Sequence, residues 1–235
     1  MSSSLKKQLL EWISIEDLDW VSLSKNPNAI GLLEKNPNKI DWNGLSANPN
    51  AIKLLMENVD KINWHSFSEN INAIPFLEAH PNKIDWQYLS RNKNAMHLLM
   101  ANPEKVHWDW LSNNPSAISI LEENPDKIEW ESLCLNSNAI TLLEAYPDKI
   151  DWDLLAENPN GMSLIYKNLE KINWSGLRIW EALSCNPNAI HLLETNIDKI
   201  CWSSLSINPN AILLLSANPD KIDWSLFSLN PSIFE

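Results

Sequence analysis

The sequence is poor in glycine and cysteine and contains no long apolar run. Among its 235 residues are 4 glycines and 3 cysteines, so neither a glycine-rich phosphate loop nor a disulfide framework is expected. Unpatterned cysteines favour a reducing compartment. No stretch of 18 apolar residues occurs, and residues 1–10 lack the pattern of a secretory signal. We therefore expect neither membrane spanning nor export, and a cytoplasmic location.

Positive charge is scarce as well. The chain has 18 Lys+Arg against 30 Asp+Glu, a formal net charge of -12, which argues against binding to nucleic acid. There is no Cys-x-x-Cys pair and no serine in a nucleophile-elbow setting. The histidines show no metal-binding spacing: His65, His80, His97, His107 and His191. We expect no catalysis, no metal and no cofactor.

What the sequence does contain is a tandem repeat. Tryptophan recurs every 22 residues from Trp20 to Trp174, and again at Trp180, Trp202 and Trp224. The copy at residues 36–55 reads Asn-Pro-Asn-Lys-Ile-Asp-Trp, two variable residues, Leu-Ser, one variable residue, Asn-Pro-Asn-Ala-Ile, one variable residue, Leu-Leu. A fixed period carried by a whole motif is typical of solenoids, in which each unit packs on its neighbours.

Each unit is predicted to hold two short helices. An Asn-Pro pair is a typical helix start, because asparagine caps free amides and proline fits the first helical position. Ile40, Trp42 and Leu45 would line the first helix, and residues 51–55 the second. We predict an all-α, right-handed α-solenoid. The alternative, a leucine-rich-repeat-like solenoid, fits less well because proline after the asparagine would remove a strand hydrogen bond.

The chain is expected to form a single repeat domain, residues 1–235. Residues 1–19 are predicted to be an N-terminal cap with an extra helix over 5–13, and 20–231 to hold about ten repeats. Residues 232–235 form a truncated, apolar end. Either a partner or self-association protects that end, or a short frayed half-unit suffices.

Six extra residues, 174–179, interrupt the period between Trp174 and Trp180. A loop or bulge with a local change in superhelix direction is expected there. It is either a tolerated surface insertion or a binding loop.

Two polar columns run through the repeats. The asparagine column is explained by helix capping, since a lost cap costs about 1 kcal/mol: Asn26, Asn48, Asn70, Asn92, Asn114, Asn136, Asn158, Asn186, Asn208 and Asn230. The lysines lie where we expect the first turn of a helix, which disfavours a cation. Contact with the tryptophan three residues later, or with a glutamate ending the preceding helix, would offset this: Lys39, Lys61, Lys83, Lys105, Lys127, Lys149, Lys171, Lys199 and Lys221.

The positions that vary between copies are candidates for partner recognition. In the second position after the repeat tryptophan, Tyr88, Trp110 and Leu154 would share one face of the solenoid. Aromatic and apolar anchors of this kind form interaction hot spots. The alternative is that these side chains only fill gaps between helices.

The repeat resembles tandem units of the type Asn-Pro-Asn-Ala-Ile-x-Leu-Leu-Glu and Asn-Pro-Asp-Lys-Ile-Asp-Trp in proteins of giant DNA viruses. Residues 186–194 and 218–224 carry it most closely, and it extends over about residues 20–231. The resemblance implies a viral product in the host cytoplasm or the virion. The expected function is non-catalytic binding of a host or viral protein, with a virion component or self-assembling scaffold as the alternative.

Overall fold

The computed structural model describes residues 7–235, and this part of the chain is all-helical. Its α-helices come in pairs, one beginning at the repeat tryptophan and one beginning near the repeat isoleucine, except that α15 begins before its tryptophan and α19 has no second α-helix. They are α1 Trp20–Lys25, α2 Ile30–Lys35, α3 Trp42–Ala47, α4 Ile52–Met56, α5 Trp64–Glu69, α6 Ile74–Ala79, α7 Trp86–Arg91, α8 Met96–Ala101, α9 Trp108–Ser112, α10 Ile118–Glu123, α11 Trp130–Cys134, α12 Ile140–Ala145, α13 Trp152–Glu157, α14 Met162–Lys167, α15 Leu177–Cys185, α16 Ile190–Glu194, α17 Trp202–Ser206, α18 Ile212–Ser216 and α19 Trp224–Phe227.

Short 3₁₀ helices join these pairs. They are Ile15–Asp17, Pro37–Lys39, Val59–Lys61, Pro81–Lys83, Pro103–Lys105, Pro125–Lys127, Pro147–Lys149, Leu169–Lys171, Ile197–Lys199, Pro219–Lys221 and Pro231–Ile233. Within residues 7–235 the extended pairing is a single antiparallel bridge between Leu9 and Phe234. The α-solenoid is therefore the correct fold, and the leucine-rich-repeat alternative is not.

The helix starts differ from the prediction. Asn36-Pro37 opens only a three-residue 3₁₀ helix, after which Ile40 and Asp41 are extended, and α3 begins at Trp42. Its cap is Asp41, whose carboxylate accepts a hydrogen bond from the Gly44 amide at 2.6 Å. A short acidic side chain before the tryptophan satisfies the free amides of the first turn, so the helix begins there.

The other Asn-Pro pair also opens a turn and not the α-helix itself. The Asn48 side-chain oxygen accepts a hydrogen bond from the Asn50 amide at 3.0 Å, which is the geometry of an Asx turn. The second helix, α4, starts only at Ile52. Asn48 therefore ends α3 as its C-cap residue, through its backbone amide, while its side chain shapes the corner between the two helices of the unit.

The core of each unit is small and repeats from copy to copy. In the second unit Leu45, Ala51 and Leu55 are fully buried, while Trp42 and Ile52 are half-buried and pack against this core. Backbone contacts between units are concentrated between successive tryptophan helices, such as α1 with α3 and α3 with α5. Each unit thus completes its core by packing on the next one, as the repeat predicts.

The ten units close into a ring. Asn48 donates its side-chain amide to the carbonyls of Ser24 and Asn26 in the preceding unit, at 3.0 and 2.9 Å. Asn26 of the first unit makes the same two bonds to Ser228 and Asn230 of the last unit, at 3.0 and 2.9 Å. First and last units are therefore neighbours like any other two.

Further contacts repeat this equivalence. The Asp41 amide donates to the Ser24 hydroxyl of the preceding unit at 2.9 Å, and the Asp19 amide donates to the Ser228 hydroxyl at 2.8 Å. The side-chain amide of Asn28 reaches the Pro231 carbonyl at 2.7 Å. Because three kinds of inter-unit bond recur across the junction, closure is continuous packing and not a chance touch of two ends.

The expectation of an open apolar C-terminal end is wrong. Ile233 is fully buried and Phe234 is 5% exposed. The Gln8 amide donates to the Glu235 carbonyl at 2.8 Å, and the Glu235 amide donates to the Gln8 carbonyl at 2.9 Å. The start of the chain covers the last unit, so neither a partner nor a frayed end is needed there.

The expected helix over residues 5–13 is also not found in its described part, residues 7–13. That segment is extended at Leu9 and turns at 11–12, and the Trp12 ring lies 5.7 Å from the Phe227 ring. Pairing with the C-terminal residues uses its backbone amides and carbonyls in an inter-segment ladder, which is incompatible with a local helix.

The inserted residues do not interrupt the ring. The Gly176 amide donates to the Asn173 carbonyl in a turn, and α15 then starts at Leu177, before Trp180, so the insertion is a turn followed by additional helix. Asn186 donates to the carbonyls of Ala156 and Asn158 at 2.7 and 2.9 Å, as its equivalents do elsewhere. The expected change in superhelix direction is wrong at this interface, because the inter-unit bonds are the usual ones.

Ring closure predicts that asparagine substitutions at the junction and in the middle of the chain are equally costly. Asn26→Ala and Asn136→Ala each remove the side-chain donor of two carbonyls in the neighbouring unit, one of which keeps a backbone donor. Each substitution should therefore lower the free energy of unfolding by about 1 to 3 kcal/mol. Urea unfolding followed by circular dichroism measures this. Asn38→Ala, at an exposed position, is the control. A loss at Asn26 no larger than at Asn38 would contradict closure.

Candidate interaction surface

The ring has one concave side, which is lined by the tryptophan helices. A hollow of about 390 Å³ is bordered by residues of five consecutive units, from Glu69 to Pro159. Only the inner side of a curved array brings so many units to one depression. We call this side the concave face. It is formed by the two positions after the tryptophan, the position after the repeat serine, and the proline position of the following turn.

Two of the three residues singled out from the sequence meet on this face. The Tyr88 and Trp110 rings lie 5.1 Å apart at an interplanar angle of 49°, and both side chains are half-buried. Their backbones start helices α7 and α9, so the inter-unit packing sets the distance between them. The contact is a preformed aromatic pair.

Leu154, the third predicted residue, follows the same column two units beyond Trp110. Its amide is held by the Asp151 carboxylate at 3.0 Å, and its half-buried side chain packs against the core. The structure brings Leu154 to the concave face but not into contact with the aromatic pair. Its side chain fits the gap-filling interpretation as well as the anchor interpretation.

Sequence reasoning missed Arg91 and His65 as parts of this cluster. The Arg91 guanidinium lies 5.4 Å from the centre of the Trp110 ring and its Nη1 lies 3.7 Å from Glu69 Oε1. The His65 ring lies 6.1 Å from the Tyr88 ring. The sequence contains a pattern that points to Arg91. The position after the repeat serine varies between copies as much as the two positions after the tryptophan, and Arg91 occupies it.

Hydrogen bonds fix one end of this cluster. His65 Nδ1 lies 2.5 Å from the Asp85 carboxylate, which also caps α7 through the Gln87 and Tyr88 amides. Burial by itself raises the pKa of Asp85, but the hydrogen bonds and charge of His65 and these amides outweigh burial and lower the pKa overall. Asp85 therefore stays ionised and holds the helix that carries Tyr88.

Further along the concave face, acidic residues predominate. Asp109, Glu131, Asp153 and Glu181 occupy the position after the tryptophan in four consecutive units. Burial, followed by the neighbouring charge of Glu181, raises the pKa of Glu157, while Arg178 opposes this rise. The crowding of negative charge gives this arc a preference for cationic groups.

The asparagine column does more than cap and is closed to ligands. Its side chains are at most 1% exposed in the ten units, and each donates to two carbonyls of the preceding unit at 2.7 to 3.1 Å. The capping explanation was therefore incomplete, because the amide nitrogen joins adjacent units.

The lysine column contacts tryptophan, but not the one that was expected. In six units the ammonium lies over the tryptophan of the preceding unit, 19 residues earlier, at 4.4 to 5.8 Å from the ring centre: Lys39 on Trp20, Lys61 on Trp42, Lys83 on Trp64, Lys105 on Trp86, Lys127 on Trp108 and Lys221 on Trp202. The premise of an unfavourable dipole was wrong, because each lysine ends a 3₁₀ helix and does not begin an α-helix.

These cation–π contacts predict different costs for two neighbouring lysines. Lys127→Met removes an ammonium 4.5 Å from Trp108 and should lower the free energy of unfolding by about 0.5 to 1 kcal/mol. Lys149→Met should cost less, because Tyr146, at 5.0 Å, contacts Trp130 instead. Chemical unfolding of both variants gives the comparison, and equal losses would contradict a role for the tryptophan ring.

Within residues 7–235, no three His, Cys, Asp or Glu side chains come together as a group able to hold a metal ion. No helix in the same range has both the length and the apolar character that crossing a membrane requires. No family model, curated protein or solved structure matches the chain.

Proposed function

We propose that the protein is a non-catalytic binding module that holds a partner protein on the concave face of the ring. The observation that carries this proposal is the cluster of Tyr88, Trp110 and Arg91, three residue types that dominate binding hot spots. The rings are in contact and the guanidinium lies over Trp110. Each side chain lies on a helix start or end that inter-unit packing fixes.

Preorganisation supports the proposal. A side chain that is already ordered in the free protein loses little conformational entropy on binding, and an immobilised flexible side chain costs about 0.5 to 1.5 kcal/mol. Glu69 orients Arg91, and Arg91 in turn covers one side of Trp110. Beside them, a cleft of about 200 Å³ lined by Trp110 and Leu135 offers room for one apolar side chain.

The arrangement favours an extended segment of the partner over a globular surface. Anchors and hollows follow one another along the arc from Val21 to Pro159. A chain laid along this arc would place apolar residues at Trp110 and cationic residues at Asp109, Glu131 and Asp153. The resemblance of the repeat to giant-virus proteins makes a host or viral protein in the cytoplasm the expected partner.

A virion component or self-assembling scaffold remains the alternative function. Its main support was an exposed apolar end, and Ile233 and Phe234 are buried within the ring. Sedimentation velocity over a range of protein concentrations addresses it directly. We expect a constant monomer, and a mass that grows with concentration would favour the scaffold.

The binding proposal predicts loss of the partner when the aromatic pair is removed. The double variant Tyr88→Ser, Trp110→Ser should weaken binding by at least 2 kcal/mol, about 30-fold. Affinity capture from infected-cell lysate with mass spectrometry identifies the partner, and calorimetry with the purified partner measures the loss. Tyr146→Ser, an exposed aromatic away from the cluster, is the matched control. An identical set of captured proteins for both variants would remove this cluster as the site.

A further inference from the structure

The insertion at residues 174–179 builds a second aromatic site away from the Tyr88–Trp110 cluster. Here Trp174, in the added turn, lies against the repeat tryptophan Trp180, with ring centres 5.7 Å apart. Clefts of about 460 and 490 Å³ open beside this pair. Both clefts are lined by Trp174 and Trp180, so the pair separates them.

Both indole rings are fixed from within the chain. The Trp174 indole N–H donates to the Leu169 carbonyl at 3.1 Å. The Trp180 indole N–H donates to the Trp174 carbonyl at 2.9 Å. Their planes and edges are therefore set before any ligand arrives, which is the condition for a binding site that loses little entropy.

The six regular units show what this kind of tryptophan surface accepts. There the ammonium of the next unit's lysine lies 4.4 to 5.8 Å from the ring centre. At the insertion the pattern is broken. Trp180 is 8% exposed and contacts Trp174, and Lys199, the next lysine of the column, pairs with Asp198 at 3.5 Å instead. Among the residues from 7 onward, no lysine or arginine lies over the half-buried Trp174 ring.

The second cleft supplies negative charge beside this ring. Glu181 and Asp198 line it together with Trp174 and Trp180. Lys199 lies in the same cleft, but it forms an ion pair with Asp198. Glu181 is therefore the carboxylate available to bind a cationic ligand. An aromatic face beside a carboxylate recognises a cation through the ring quadrupole and a charge-assisted hydrogen bond.

Exposed apolar side chains surround the pair. Leu177 is 88% exposed, Tyr166 51% and Leu169 47%. In the regular units glutamate is common where Tyr166 lies, and proline is common where Leu169 lies. This concentration of apolar surface around one unit suits the aliphatic and apolar parts of a peptide that carries the cation.

We propose that the second of these clefts, the one lined by Trp174, Trp180 and Glu181, binds an arginine side chain of a partner protein. The arginine would lie in a basic segment with apolar flanking residues. Its guanidinium would stack on Trp174 and bond to Glu181. Arginine fits better than lysine because its planar group stacks on indole and also forms a fork of hydrogen bonds to a carboxylate. The chain contains an example of this stacking, in which Arg91 lies 5.4 Å from the centre of the Trp110 ring.

The test uses two fluorescein-labelled peptides of the sequence Gly-Leu-Arg-Leu-Gly and Gly-Leu-Cit-Leu-Gly, where citrulline is the neutral isostere of arginine. Fluorescence anisotropy with the full-length protein measures their affinities. The arginine peptide should bind at least about 10-fold more tightly, and added salt should reduce the difference. Equal affinity for the two peptides would overturn the proposal.

Variants assign the binding to this cleft. Trp174→Leu should weaken the arginine peptide by roughly 3- to 30-fold, and Glu181→Gln should weaken it as well. Lys199→Gln should strengthen it, since a competing cation is removed. Glu123→Gln is the matched control, because it removes the same charge at an exposed position outside both proposed sites. If Glu123→Gln and Glu181→Gln act equally, the peptide senses only the net charge of the protein and the proposal fails.

A second readout keeps the result independent of folding defects. In nitrogen–proton spectra of the unmutated protein, the indole signals of Trp174 and Trp180 should shift on adding the arginine peptide, while that of Trp110 should not. Shifts confined to Trp110 would place the peptide at the Tyr88–Trp110 cluster and overturn this assignment. The Tyr88→Ser, Trp110→Ser variant should bind the peptide with unchanged affinity. The two proposed sites are therefore tested independently of each other.

Discussion

The structure depends on one buried side-chain amide per unit. The repeat asparagine bonds to its own turn through its oxygen and to two carbonyls of the preceding unit through its nitrogen, as Asn48 does with Asn50, Ser24 and Asn26. A buried carbonyl without a donor costs about 1 to 3 kcal/mol, so a neighbour that does not present its turn at the right distance and angle is penalised. Together with the serine hydroxyl and second asparagine bonds between units, this contact constrains the spacing and the rotation from unit to unit, and the apolar core fills the space between them.

Much of the fold could be predicted from the sequence because the same pattern occurs in ten copies. The period, the two helices per unit and the buried leucines all depend on residues close together in sequence, so they can be recognised from the sequence alone. The helix starts were misplaced because Asp41 competes with Asn36 for the role of cap, and a sequence shows both residues without showing which amides they reach. The partner of Lys127 was misplaced for a related reason: Trp130 is near in sequence, but Trp108 is nearer in space.

Closure could not be predicted from any local signal. It depends on the small rotation between units summed over ten of them, and an error of a few degrees per unit decides between a ring and an open superhelix. The same limit applies to the candidate interaction surface, where only part of the cluster could be predicted from the sequence. The variable columns pointed to Tyr88 and Trp110, whereas the roles of Arg91 and His65 emerge only when adjacent units are placed side by side. From the sequence, residues 174–179 are either a tolerated insertion or a binding loop. The contact between Trp174 and Trp180 could not be predicted, because it depends on how the turn places the two rings.

A ring without ends also restricts how the chain can change in length. In an open array a unit can be gained or lost with only the end contacts affected, whereas here each unit supplies a tenth of a full rotation. An eleventh unit would force every interface away from its preferred angle, or open the junction between Asn26 and Asn230. Residues added inside a unit escape this restriction, because they leave the number of interfaces unchanged. The extra turn at residues 174–179 is such an addition. Insertions in this protein are therefore expected within units, and the number of units is expected to stay constant.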